Sequence, residues 1–374
     1  THKPATPPRN DIVDAKPYAC ASPVDGKFWD GRVGGKPERL QKFGLPVFTT
    51  PEELAAWLKL PLKKIAWFAD YHGHNAGEKV VKKRHYHYAW IKKRSGGERL
   101  IEAPKPLLKA IQKRILHEIL NKVPPHPAAH AYTPKKSIRT NAEPHCGKYI
   151  VIKADLASFF PSITTKRVAA IFRGLGYNVE VSHWLARLCT NIVPYDIMKK
   201  ERFDSFLTYR HAPQGAPTSP ALANLAAWGM DCRLAGLAKK WNMTYTRYAD
   251  DLTFSADEAA ITGKSLNWFI KYLRGIIRDE KFGWNMKKLK IVRRGGRQFV
   301  TGLTVNVKPN IGRKEYDTLK AILHNCVKHG AASQNRDKIA NFRAHLEGRV
   351  GFVTSVNPAR GRKLQVILNK IALG

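Results

Sequence analysis

Acidic residues are scarce in this chain. Its 374 residues hold 29 Asp plus Glu against 65 Lys plus Arg, a formal charge of +36 at pH 7. Such an excess attracts polyanions, so nucleic acid is the first expected partner. Long apolar runs are absent: none reaches the roughly 18 residues of a membrane span, and no signal peptide is evident, so no membrane partner is expected. Nor are the basic residues gathered in a tail; they are spread along the whole chain. Cysteine is sparse. Cys20, Cys146, Cys189, Cys232 and Cys326 stand far apart with no CxxC spacing. They read as reduced, mostly structural thiols in a reducing cytoplasm.

What is present centres on Thr244–Ser255, reading Thr-Tyr-Thr-Arg-Tyr-Ala-Asp-Asp-Leu-Thr-Phe-Ser. Two β-rich runs flank Asp250 and Asp251, as in a strand–turn–strand hairpin. Two carboxylates at one turn repel unless a cation or base neutralises them, and their hard oxygens suit Mg²⁺. An ordinary polar turn would also place Asp there. A further carboxylate favours chemistry: Asp155 closes the apolar run Tyr149-Ile150-Val151-Ile152, which reads as a buried strand. Strands offering Asp155 and Asp250 side by side would build a two-metal site for phosphoryl transfer.

The length allows two or three packed subdomains. Residues 1–48, rich in Pro, Gly and Lys, read as an irregular extension. Thr50-Pro51-Glu52-Glu53 predicts a capped helix through Leu54, Trp57 and Leu58, and a second helix follows Pro61. A basic aromatic ribbon, Arg84–Pro104, alternates around a Ser-Gly-Gly turn and predicts a β-hairpin. Its tip bears Lys92, Lys93, Arg94 and Arg99, suited to a triphosphate or a nucleic-acid backbone, though Lys also protects edge strands. His72, His74, His85 and His87 have no nearby Cys to complete a closed zinc site. Leu107–Val123 reads as an amphipathic helix stopped by Pro124-Pro125. In Ala212–Leu225, Ser219 is expected to cap a helix whose inner face is Leu222, Leu225, Ala226 and Leu234, and Gln214-Gly215 offers a loop on which substrate could rest. Phe160, five residues beyond Asp155, reads either as a core aromatic or as a ring close to the site.

These residues carry a resemblance. Tyr248-Ala249-Asp250-Asp251, the Asp155 strand with Phe159-Phe160, and the Gln214-Gly215 loop resemble the palm motifs of reverse transcriptases. Asn141-Ala142-Glu143-Pro144-His145 resembles the NAxxH signature, and Val300-Thr301-Gly302 the VTG signature, of retron reverse transcriptases. The resemblance covers about residues 50–374.

It implies an α+β right-hand polymerase with fingers, palm and thumb: residues 49–140 N-terminal helices and fingers, 141–307 palm, 308–374 helical thumb. Asp155, Asp250 and Asp251 would hold two Mg²⁺ ions, with the Leu156 carbonyl as a further ligand. Lys93 and Arg99 would hold the incoming deoxynucleoside triphosphate, with Lys92 an alternative to Lys93 because turn length shifts the register. Phe160 matches the sugar gate and Gln214 the residue touching the nucleotide. Lys288 matches a Lys that protonates the leaving pyrophosphate. RNA contacts are expected from Asn141, His145, Val300 and Thr301, and from Arg360, Arg362 and Lys363 in a thumb carrying 13 Lys/Arg against 4 Asp/Glu. The implied activity copies a cognate structured noncoding RNA into DNA from an internal 2′-hydroxyl, giving a branched RNA–DNA product in the bacterial cytoplasm. Retrons commonly act with a separate effector protein against phage, and no effector domain is visible in this chain. The competing readings are a group II intron-like reverse transcriptase and a catalytically silent RNA-binding scaffold.

Overall fold

The structure, a computed structural model, describes residues 35–93, 96–198, 205–257 and 263–371. Arg94 of the predicted hairpin tip and most of the N-terminal extension lie outside these. In chain order the helices are α1 (Pro37–Lys42), α2 (Pro51–Leu58), α3 (Leu62–Phe68), α4 (Pro106–Glu118), α5 (Ile138–Ala142), α6 (Thr165–Leu175) and α7 (Val179–Cys189). They continue with α8 (Ser219–Ala226), α9 (Trp228–Lys240), α10 (Gly263–Asp279), α11 (Arg313–His329), α12 (Phe342–Val356) and α13 (Pro358–Leu368). The strands are β1 (Tyr86–Lys92), β2 (Glu98–Pro104), β3 (Ile150–Ala157), β4 (Thr244–Tyr248), β5 (Asp251–Ala256), β6 (Gly283–Trp284), β7 (Lys290–Arg293), β8 (Phe299–Val300) and β9 (Leu303–Thr304). Helix and sheet are mixed. Among the described residues no helix is long and apolar enough to cross a membrane.

Two compact units share the chain. The first takes its described residues from 35–133, 154–252 and 263–289, the second from 134–153, 253–257 and 290–371. In the first, the Thr50 hydroxyl accepts from Glu53 N at 3.2 Å, capping α2 as its sequence predicts. β1 and β2 form the predicted antiparallel hairpin, Tyr86 opposite Pro104 and Lys92 opposite Glu98. Alternate residues Leu100, Glu102 and Pro104 point inward along β2. In α4, Leu108, Ile111, Gln112 and Ile115 form the buried stripe. The central strands lie in the order β4, β5, β3, β6, with Leu156 of β3 opposite Trp284 of β6.

Three local expectations are corrected. The stretch before residue 49 is not irregular throughout: α1 forms within it, and Leu40, Leu45 and Phe48 are buried. Lys36 N donates to Gly176 O at 2.7 Å, an approach that only glycine permits, because a Cβ on Gly176 (φ +122°) would stand 2.5 Å from Lys36 O. Ser219 does not cap α8. Thr218 already has helical backbone angles and is the flanking residue, so Ser219 becomes the first helical residue and is buried. Leu234 belongs to the next helix, α9, since α8 ends at Ala226. His85 is a core residue: its ring meets Trp67 at 4.3 Å, its Nδ1 pairs with the Asn75 amide at 2.9 Å, and burial pushes its pKa down to about 4.

In the second unit the first half of β3 pairs antiparallel with β7, Ile150 opposite Arg293. Leu319, Leu323 and Cys326 of α11 are buried among Leu346, Val350 and Leu364 of α12 and α13.

Candidate active site

The acidic corner of the first unit is made by two backbone decisions. β3 carries Asp155 in a strand too apolar to sit anywhere but inside, leaving the carboxyl buried at the strand's far end. Ala249 takes a left-handed conformation (φ +56°), unusual for a residue with a side chain, and turns the chain sharply between β4 and β5. Leu156 N then donates to Asp250 O at 3.0 Å, locking the turn beside β3. Asp251 opens β5.

The strained turn is held from below. Arg247 is fully buried in β4 and donates to Ala249 O at 3.0 Å. Its other donors meet Asp231, Nε to Oδ1 at 2.8 Å and Nη2 to Oδ2 at 2.6 Å, and Asn224 Oδ1 at 3.1 Å. The Tyr245 hydroxyl donates to Asp231 at 2.7 Å. This buried charge pair is fully hydrogen-bonded, which makes it tolerable in a core.

Above the turn, like charges crowd. Burial first, then the charges of Asp155 and Asp251, push the Asp250 carboxyl up to about 6. Lys288 answers part of that charge, its Nζ donating to Asp155 Oδ2 at 2.8 Å. That hydrogen bond is also the main reason its own pKa lies above the ordinary lysine value. Asn285 donates its side-chain amide to Asp155 Oδ1 at 3.2 Å. Among the described residues no three His, Cys, Asp or Glu side chains converge closely enough to chelate a metal as they stand. The corner nevertheless suits a hard cation. A carboxylate destabilised by burial and by two like charges is relieved by a divalent ion.

A cleft of about 690 Å³ opens over this corner. Asp155, Leu156, Asp250 and Lys288 line it together with Phe160, Gln214, Lys93 and Arg99. Lys92 and Lys93 are both exposed, and of the two Lys93 lines the cleft. Phe159 is the core aromatic of the pair and Phe160 the ring at the cleft. Gln214 is set by its backbone, its carbonyl accepting from Glu102 N at 2.7 Å. Glu102 is buried between His211 Nε2 at 2.9 Å and Asn191 Nδ2 at 2.7 Å, so hairpin and loop are tied together. At Gly215 (φ +125°) a Cβ would lie 3.0 Å from Glu102 O.

Sequence reasoning passed over three contributors. Tyr132, left-handed at φ +58°, sets its ring 6.2 Å from Phe160 at the cleft. Asn285 could have been suspected from its spacing to Lys288, and Arg247 from a charge at a strand position flanked by inward-facing residues.

The expected RNA contacts fall in the second unit, and several are corrected. Asn141, His145 and Val300 are completely buried, so their side chains have no surface to offer a nucleic acid. His145 Nδ1 pairs with Ser255 Oγ at 2.7 Å, and Val300 belongs to the apolar cluster of α11–α13. Thr301 donates to Ile138 O at 3.1 Å. The two signatures meet there as internal joints. Arg360 lies over the Tyr316 ring at 4.7 Å and reaches Asn310 Oδ1 at 3.2 Å, while Arg362 and Lys363 are exposed.

Residues 91–321 match the family model for reverse transcriptase (RNA-dependent DNA polymerase), which accounts for paired carboxylates beneath a basic cleft. The chain is 39% identical over 327 residues to the retron Mx65 reverse transcriptase of Myxococcus xanthus, covering 87% of this chain and 73% of that protein. With the retron Mx162 reverse transcriptase of the same organism it shares 34% over 356 residues, covering 91% and 70%. With the retron Ec86 reverse transcriptase of Escherichia coli it shares 30% over 339 residues, covering 89% and 92%. The chain belongs to the retron reverse transcriptases. It is an RNA-directed DNA polymerase, an enzyme class that uses divalent metal ions and acts with a template RNA and nucleotides.

Proposed function

We propose that this polymerase copies one cognate, structured noncoding RNA into DNA, starting from a 2′-hydroxyl within that RNA and leaving a branched RNA–DNA product. The observation that carries the reading is the single cleft shared by Asp155, Asp250, Lys93, Arg99, Phe160, Gln214 and Lys288. Residues 49–140 serve as N-terminal helices and fingers, 141–307 as palm and 308–374 as thumb, with 1–48 as an extension. Asp155, Asp250, Asp251 and the Leu156 carbonyl would hold two Mg²⁺ ions, which when bound lower the pKa of the primer hydroxyl and neutralise charge on the phosphates.

The chain's own residues do the rest. Lys93 and Arg99 grip the triphosphate by charge and hydrogen bonds. Gln214 meets the incoming nucleotide on a loop that Glu102 keeps fixed. Phe160 stands where a ribose 2′-hydroxyl would go, favouring deoxyribonucleotides. As the primer oxygen, its proton released to water, bonds to the α-phosphorus, the bond to pyrophosphate breaks and Lys288, protonated at neutral pH, donates its proton to the departing oxygen. The setting proposed is the bacterial cytoplasm, with a separate effector protein in a phage-defence system.

Two measurements test this. Primer extension on an RNA template with Mg²⁺ and deoxynucleoside triphosphates should be active, and Asp250→Asn should abolish it while leaving RNA binding largely intact; synthesis near the parental rate would remove Asp250 from the chemistry. Sequencing of copurifying nucleic acid should yield one abundant small RNA joined to DNA, released by a debranching enzyme. Heterogeneous, unbranched nucleic acid would refute the dedicated-template reading.

A further inference from the structure

Helix α10 has a face that the cleft does not use. Its inner side is apolar, burying Leu266, Phe269, Leu273, Ile276 and Ile277, with Phe269 edge-on to Trp241 at 5.8 Å. The outer side is basic and aromatic. Lys264, Lys271, Arg274 and Arg278 are exposed, and Trp268 and Tyr272 stand partly buried among them. Residues three, four and seven apart share a helix face, so the charges form a stripe. At 1.5 Å per residue the stripe is about 21 Å long. Asp279 at its end is held by Arg233 at 2.9 Å, which offsets much of its charge locally.

The rings are arranged with the charges. Trp268 and Tyr272 have centroids 6.4 Å apart, and Lys271 Nζ lies 4.9 Å from the Trp268 ring. With Arg274 and Arg278 they wall a shallow hollow of about 630 Å³. Solvation alone explains the Lys and Arg but not two large rings kept partly in water between them. Basic groups that follow a backbone, with flat aromatic faces among them, suit single-stranded nucleic acid, whose phosphates need cations and whose unpaired bases stack. A blunt duplex could use the charges but hides its base faces. An acidic protein could use the charges too, but has no need of a cation poised over a flat ring.

We propose that the outer face of α10 docks an unpaired RNA loop, with bases stacking on Trp268 and Tyr272 and phosphates held by Lys271, Arg274 and Arg278. This rests on the reading of a dedicated structured RNA and gives the protein a hold on it outside the polymerising cleft, which none of these five residues lines.

The test uses the full chain and a labelled hairpin RNA with an unpaired purine-rich loop, compared with the same stem closed as a blunt duplex. The parent protein should prefer the looped RNA. Trp268→Ala should weaken loop binding about ten-fold, Trp268→Phe should keep most of it, and neither should change duplex binding. Lys271→Glu with Arg278→Glu, both at exposed positions, should lower the slope of log affinity against log salt by about 0.7 for each phosphate that is no longer neutralised. Extension of a DNA primer on an unstructured RNA template should stay at the parental rate in every variant. That control separates the two claims, since a parent inactive in extension would refute the polymerase reading while loop binding is still measured. Unchanged loop affinity in folded Trp268→Ala and in the charge-reversed variant would overturn the site. So would equal losses on loop and duplex, or tighter binding of polyglutamate than of the looped RNA by the same residues.

Discussion

Replacing Arg247 with Met tests whether the Ala249–Asp250 turn is held by its buried charge pair. Arg247 and Asp231 are both completely buried, so removing the guanidinium leaves a carboxylate in the core with only the Tyr245 hydroxyl from the original set donating to its side chain. Breaking such a pair typically costs about 3–5 kcal/mol. At roughly 2–4 °C per kcal/mol for a large domain, the first unit should melt about 6–20 °C lower. Adding Asp231→Leu removes the stranded charge as well, so most of that loss should return. A residue of about 1–3 kcal/mol should remain, because the Tyr245 hydroxyl and the Asn224 oxygen each lose a partner. Activity should not return with it. Ala249 O still lacks its donor, the left-handed turn relaxes, and Asp250 shifts relative to Asp155; misplacement by about 1 Å can cost about a hundred-fold in rate. Thermal melts and single-nucleotide incorporation kinetics on the two variants read these effects separately. If the double variant regains rate together with stability, Arg247 is only core packing. If the single variant loses less than about 1 kcal/mol, the pair does not hold the turn at all.

Phe160→Val should admit ribonucleotides, seen as a fall in the ratio of kcat/KM for deoxy- over ribonucleotide; an unaltered ratio would place the gate on another side chain. His145→Ala strands the buried Ser255 hydroxyl and opens a cavity, so the second unit should lose about 1–3 kcal/mol, and extension should fall equally on the native RNA and on a plain primed template. A loss confined to the native RNA would restore His145 as a recognition residue. Neutralising exposed Arg362 and Lys363 should flatten the salt dependence of RNA binding by roughly 0.7–0.9 for each phosphate they neutralise, and a constant slope would show that they touch no phosphate.

The elements of the acidic corner were legible in the sequence because each is a local pattern. An apolar run ending in Asp155 reads as an inward strand, and β-rich runs on both sides of Asp250-Asp251 read as a hairpin. The capped helix at Thr50 and the amphipathic helix that becomes α4 are equally short-range, set by hydrogen bonds and side-chain spacing within a few turns. Register was less secure. Lys92 and Lys93 are neighbours with the same chemistry, and a one-residue shift in a strand exchanges its faces, so only the paired hairpin shows Lys93 toward the cleft. Burial was the least legible property. The polar residues of Asn141–His145 look like surface recognition groups along the chain, yet His145 finds its partner 110 residues away at Ser255. Arg247 likewise draws no notice along the chain, and only the fold gathers Asp231, Asn224 and Ala249 O around it. Local propensity and periodicity decide which elements form. Whether a polar side chain ends inside or out depends on which distant donor or acceptor the folded chain brings to it, and no short window of sequence contains that partner.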